Sequence, residues 1–202
     1  FNGNHSRLFV PALTIVFFSF FLLAVYRIID NDRPSKKQLV AAGLSYGSLF
    51  YVYFYYWVFA TIFLGIAFLI FLLKGRMRAW RIFLASITGF LFSIPYWVRY
   101  ISLAENPIYG EITKRIGLFY GRIFVWPSAN YFLIISLLVI AGILLRRRKE
   151  RLEVFYYILS LFLVLPVVKN LQIIFGFNPQ PDHWGSRVGV YITALAFLMS
   201  IF

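Results

Sequence analysis

Residues 178–187 hold the densest chemistry in this chain. Asn178, Gln180, Asp182, His183, Trp184 and Arg187 fall within ten positions, in a sequence otherwise poor in polar side chains. Pro179 and Pro181 restrict the backbone there and Gly185 loosens it. An imidazole exchanges a proton near neutral pH, and a guanidinium grips a phosphate with two parallel hydrogen bonds. Such a stiff polar loop suits recognition of a polar head group. The plainer reading is an interfacial turn, with Trp184 in an aromatic belt and Arg187 snorkelling towards water.

Other groups extend the candidate set. Lys169, Asn170 and Gln172 follow a proline-containing apolar run, and Lys169 either enters a water-filled cavity or reaches the head groups. Lys114 and Arg115 can bind a lipid phosphate, whereas Glu111 and Arg115 can form an i,i+4 pair if the segment is helical. Tyr51, Tyr53, Tyr55, Tyr56 and Trp57 suit a membrane-interface belt or an aromatic wall for a sugar or lipid chain. Asn4-His5-Ser6 matches a glycosylation sequon, a motif common by chance. With two histidines and no cysteine, no structural zinc is expected. The sequence holds no phosphate-cradling glycine loop, no zincin motif and no nucleophile elbow.

The elements that must position these groups are apolar. Hydrophobic residues make up 61% of the 202, charged residues 13%, and the mean hydropathy is +0.79. Soluble domains carry about 25% charged residues, so the expected solvent is lipid. A membrane helix needs about 20 apolar residues. Runs of this kind cover residues 8–28, 39–73, 82–103, 131–145, 154–168 and 188–202. The run 39–73 would be about 52 Å long as one helix, so it is expected to turn back within residues 45–56. The chain starts at Phe1 and stops at Phe202 inside an apolar run, which is read as a fragment of a longer protein. It is expected to form one transmembrane unit, all-α, with about seven crossings or partial crossings.

Charge sets the orientation. The formal net charge is +13, but most of the Lys and Arg lie in short clusters around residues 27–37, 74–81 and 146–151. Short basic loops beside apolar runs mark the cytoplasmic side, and no nucleic-acid partner is expected. Residues 29–38, 74–81 and 146–153 are then inside. Residues 1–7, 104–130 and 169–187 are outside, where any site is expected.

Three stretches carry a family resemblance. They are the run from Gly43 to Leu73 with YVYFYYW inside it, TGFLFSIPYWVRY ending a span with Ser93-Ile94-Pro95-Tyr96, and NLQIIFGFNPQPDHW. Together they resemble the polytopic GT-C-type glycosyltransferases of bacteria and archaea and their uncharacterised relatives. The resemblance implies a prokaryotic plasma-membrane protein that transfers a sugar, with inversion, from a polyprenyl-phosphate-linked donor at the outer face. It implies membrane lipids as further partners and leaves room for a divalent cation in the full-length enzyme. The main catalytic acid of that family sits in the first outer loop, and nothing here matches it, so no catalytic residue is assigned. The candidate substrate-binding residues are His183, Arg187, Asp182, Gln180, Asn178, Lys169, Lys114 and Arg115. The rival classes are a transporter or flippase of a lipid-linked or small polar substrate, and a non-enzymatic membrane assembly protein.

Overall fold

A computed structural model describes residues 6–106, 109, 118–125, 142, 152–179, 184, 188–189 and 191–192. In order, the elements are α1 (Ser6–Asp30), α2 (Lys36–Val52), α3 (Phe54–Lys74), α4 (Arg76–Phe92), α5 (Ile94–Ala104), β1 (Leu118–Tyr120), α6 (Leu152–Lys169), α7 (Leu171–Phe175) and β2 (Phe177–Pro179). The architecture is helical, apart from a short antiparallel pairing of β1 with β2.

The uncharged run 39–73 folds back as its length required. Tyr53 alone leaves the helical conformation, at φ −160° and ψ 128°. Tyr46 then shares a hydrogen bond with Thr61 at 2.8 Å, and Phe50 stacks on Trp57 at 4.8 Å. Residues 15 apart in one straight helix would lie about 22 Å apart, so α2 and α3 form an antiparallel hairpin. Gly75 makes the next reversal, and Phe68 of α3 meets Phe83 of α4.

Small residues let α2 and α4 approach closely. A Cβ placed on Gly43 would sit 2.5 Å from the Thr88 Cβ, and one on Gly47 would sit 2.7 Å from the Gly89 carbonyl oxygen. Gly43 and Gly47 lie one turn apart on α2, facing Ala85 and Gly89 one turn apart on α4. This small-xxx-small seam is a packing device of membrane helices. The span expected over 82–103 is broken: α4 and α5 bend by 49° about Ser93, two residues before Pro95. Proline lacks the N–H for the i→i−4 bond and crowds the carbonyl four residues back.

The ends of the bundle differ. At one end Arg78 pairs with Asp32 at 2.9 Å and Glu153 at 3.2 Å, and Arg78 Nε donates to the Ile29 carbonyl at 3.0 Å. Arg81 donates to the carbonyls of Ile28, Asn31 and Asp32. The last carbonyls of a helix have no partner within it; here two guanidiniums from α4 supply donors to those of α1. The contacts also gather the start of α6, the α1–α2 connection and the start of α4 at one end, the arrangement read from charge. Tyr53, Ser93 and the C-terminus of α6 lie at the other.

Phe18, Phe21, Phe59 and Phe63 pack at the centre between α1 and α3. The Tyr157 hydroxyl, on α6, is satisfied by the Leu22 carbonyl of α1 at 2.8 Å. The outer surface is also apolar: Leu69 is 60% exposed and Leu73 85%, and Val16, Phe20, Phe90 and Leu91 are exposed. An ordinary soluble protein does not present so much contiguous apolar surface. Among the described residues, Phe54–Lys74 and Leu152–Lys169 are long and apolar enough to cross a membrane, and the bent pair α4–α5 makes a third if it is one span. These features are consistent with a membrane protein.

Candidate functional site: an amide-locked polar end

The site begins with the C-terminus of α6. Its last four carbonyls, on Pro166, Val167, Val168 and Lys169, have no helical partner by geometry. In hydrocarbon each unsatisfied group costs several kcal/mol. All four find donors. The Asn170 side chain donates to Pro166 at 3.0 Å, and its backbone N–H donates to Val167 at 3.0 Å. The Asn178 Nδ2 donates to Val168 at 2.9 Å and to Lys169 at 3.0 Å. The turn that returns Asn178 to α6 passes through α7 and Gly176, whose φ of 79° is the left-handed conformation glycine adopts most easily.

The same amides fasten a distant segment. Asn170 Oδ1 accepts from the Val125 N–H at 2.7 Å, and its Nδ2 donates to the Val125 carbonyl at 3.3 Å. The carboxamide thus pairs with Val125 as a neighbouring peptide group would. Gln172 Nε2 donates to the Ile123 carbonyl at 3.0 Å, and the Gly121 N–H donates to Gly176 at 3.1 Å. Continuing the line, β1 pairs with β2 with Phe119 opposite Asn178. Residues 118–125 therefore run antiparallel along 170–179. These two segments, separate loops by sequence, form one unit.

Trp184 closes it. Its indole is fully buried, donates to Asn178 Oδ1 at 3.2 Å and packs edge-on against Tyr55 at 4.7 Å. Neither a belt nor an exposed turn describes this residue: it is a core side chain joining Asn178 of β2 to the α2–α3 hairpin. The tyrosine-rich run divides likewise. Tyr55 and Tyr56 are buried, Tyr56 stacking on Phe18 at 4.6 Å. Tyr51 is exposed, and its hydroxyl donates to the Phe92 carbonyl at 2.9 Å.

Of the substrate-binding candidates, Asn178 and Lys169 lie among the described residues, and both are buried. Asn178 is committed to internal hydrogen bonds: its two amide hydrogens are shared among Val168, Lys169 and, at 3.0 Å, Gln172 Oε1. Lys169 is buried in the last turn of α6. His183, Arg187, Asp182, Gln180, Lys114 and Arg115 lie outside the described residues, as do Glu111, Asn4, His5 and, apart from Gly142, the run 131–145.

One cation that the sequence pattern does not single out is well placed. Arg122 is exposed and forms no ion pair among the described residues. Its backbone is held on both sides, by Gly121 bonding Gly176 and by Ile123 bonding Gln172. The guanidinium is thus presented from a fixed base beside the turn of Gly176 and the short helix α7. The Tyr109 hydroxyl donates to Tyr100 at 2.6 Å, and desolvation, with that phenol beside it, pushes its pKa up to about 12, so it stays protonated at neutral pH and serves as a donor, not a base. Among the described residues no three His, Cys, Asp or Glu side chains converge on one point. No family profile, curated protein or solved structure matches this chain.

Proposed function

We propose that the chain is the membrane part of a GT-C-like glycosyltransferase of about seven crossings. It transfers a sugar from a polyprenyl-phosphate-linked donor at the face opposite the basic end, in a prokaryotic plasma membrane. The observation that carries this reading is the amide lock. It pairs residues 118–125, which carry the exposed Arg122, with residues 170–179, and Gln180, Asp182, His183 and Arg187 follow that segment in sequence. Transfer from a glycosyl phosphate needs the leaving phosphate stabilised and the acceptor hydroxyl deprotonated. Arg122, Arg187, Lys114 and Arg115 are the cations for the first task. His183 and Asp182 are the groups to orient substrate for the second. The experiment is transfer of a labelled lipid-linked sugar by membranes containing the full-length protein. Product formation that disappears in Arg187→Ala supports the reading, and no product from any lipid-linked donor ends it.

A carrier is the second reading, favoured by the 49° break between α4 and α5, since transporters bind at broken helices. Ser93, the buried polar residue at the break, bonds its own helix, its hydroxyl donating to the Phe90 carbonyl at 2.8 Å. Uptake into proteoliposomes without any transfer would select the carrier.

A further inference from the structure

We infer that a groove between α1 and α2 near the basic end is a binding site for one anionic phospholipid. Phe20, Leu23, Ala24 and Arg27 line its α1 wall, and Gln38 and Ala41 its α2 wall. The α1 positions follow the i, i+3, i+4, i+7 spacing of a single helical face. Because a short connection makes α1 and α2 antiparallel, Ala24 falls opposite Ala41 and Arg27 opposite Gln38. The two alanines leave the floor open, and Phe20 and Leu23, both exposed, form an apolar bank beside it.

The mouth has the opposite character. Arg27 lies in the last turn of α1, exposed and without an ion pair among the described residues. Asp30 stands one turn further out and does not pair with it. Gln38 Oε1 accepts from the Ser35 N–H at 2.7 Å, which leaves Nε2 as the group able to donate. Lys37, exposed in the first turn of α2, shares a helical face with Ala41 four residues on. Arg78 and Arg81 of this end are instead occupied by carboxylates and carbonyls, while the exposed Arg33, Lys36 and Arg76 do not line the groove. Among the described residues neither Arg27 nor Lys37 has an acidic partner. An apolar trough that ends in Arg27 and an amide donor, with Lys37 one turn from Ala41 on the same helix, matches an acyl chain leading to a phosphodiester. Basic pockets between membrane helices hold such head groups.

The test is native mass spectrometry of the full-length protein, incubated with equal amounts of phosphatidylglycerol and phosphatidylcholine. Phosphatidylglycerol should be retained in preference. R27Q and K37Q should each reduce the bound fraction about fivefold, the worth of one basic group at a lipid surface. R33Q removes the same charge at the same end but outside the groove, and should leave binding unchanged. A41F fills the floor and should displace the lipid with the charge intact. Thermal unfolding of each variant in detergent shows that the fold persists. Equal retention of the two lipids, unchanged binding in R27Q and K37Q, or a loss in R33Q matching that in R27Q would each overturn the site.

Discussion

Trp184 donates its indole N–H to the Asn178 carboxamide oxygen at 3.2 Å, and that carboxamide in turn caps the end of α6 through Val168 and Lys169. One side chain therefore ties a helix terminus, a buried ring and β2. Asn178→Ala strands the indole N–H, the Gln172 oxygen and two backbone carbonyls in an apolar setting. Each stranded group costs about 1–3 kcal/mol, so the four together should destabilise by about 4 kcal/mol or more in detergent unfolding. Trp184→Phe removes the donor but retains most of the packing, and should cost less than Asn178→Ala. The reverse order would contradict the capping role of Asn178.

The glycine seam makes a second prediction. A Cβ on Gly89 would collide with Tyr46 and lie 2.6 Å from the Gly43 carbonyl oxygen. The latter is backbone, which cannot swing away. Gly89→Ala should lower stability by about 1–3 kcal/mol, the usual cost of overpacking. At Gly65 in α3 an added methyl group would meet nothing within 4 Å, and Gly65→Ala should raise stability by up to about 1 kcal/mol through helix propensity. Equal melting temperatures for the two variants would show that α2 and α4 are not in close contact.

Arg78 supports a third. It joins Asp32, Glu153 and the Ile29 carbonyl with one planar fork. Arg78→Lys keeps the charge but cannot reach three acceptors in that geometry. It should lose about 1–2 kcal/mol, nearly as much as Arg78→Gln, because geometry and not charge alone holds the junction. Full stability of the lysine variant in a melting series would count against this.

Arg122 separates the functional reading from a structural one. Its side chain is exposed, so Arg122→Gln should change stability by no more than about 0.5 kcal/mol. A lost charge-assisted phosphate contact is worth about 1.5–3 kcal/mol, or roughly 10- to 150-fold in transfer rate. The matched control is Arg99→Gln on α5, also exposed, for which no loss is expected. Equal transfer rates in wild type and Arg122→Gln would remove Arg122 from the site.

Much of the fold can be read from the sequence, because hydropathy and charge act over short stretches. The length of the run 39–73 demands a reversal, and it occurs at Tyr53, within the expected residues. The basic clusters at 27–37 and 74–81 share one end of the bundle, with Glu153 beside them. Pro95 is plain in the sequence, but whether a membrane proline bends or breaks a helix depends on its neighbours. The seam has a legible sign, Gly43 and Gly47 at GxxxG spacing with Ala85 and Gly89 at the same spacing. The polar end is harder to see. Asn170, Gln172 and Asn178 stand out as amides in an apolar chain, yet the groups that Asn170 and Gln172 bond on Val125 and Ile123 are backbone atoms more than 40 residues away. No local period or motif encodes such a pairing. For the same reason the sequence presents Asn178 as a ligand-binding residue, whereas its hydrogen bonds are internal.

The central claim is that the amide-locked end and the basic end lie on opposite faces of a membrane. These 202 residues contain no cysteine, so among them a single introduced thiol reports alone, and the unsubstituted protein is the labelling blank. Arg33, at the basic end, and Tyr120, at the other, are both exposed. In intact cells a membrane-impermeant maleimide should label Tyr120→Cys at once, and Arg33→Cys only after the membrane is permeabilised. Labelling of both positions in intact cells, or of Arg33→Cys alone, would contradict the account.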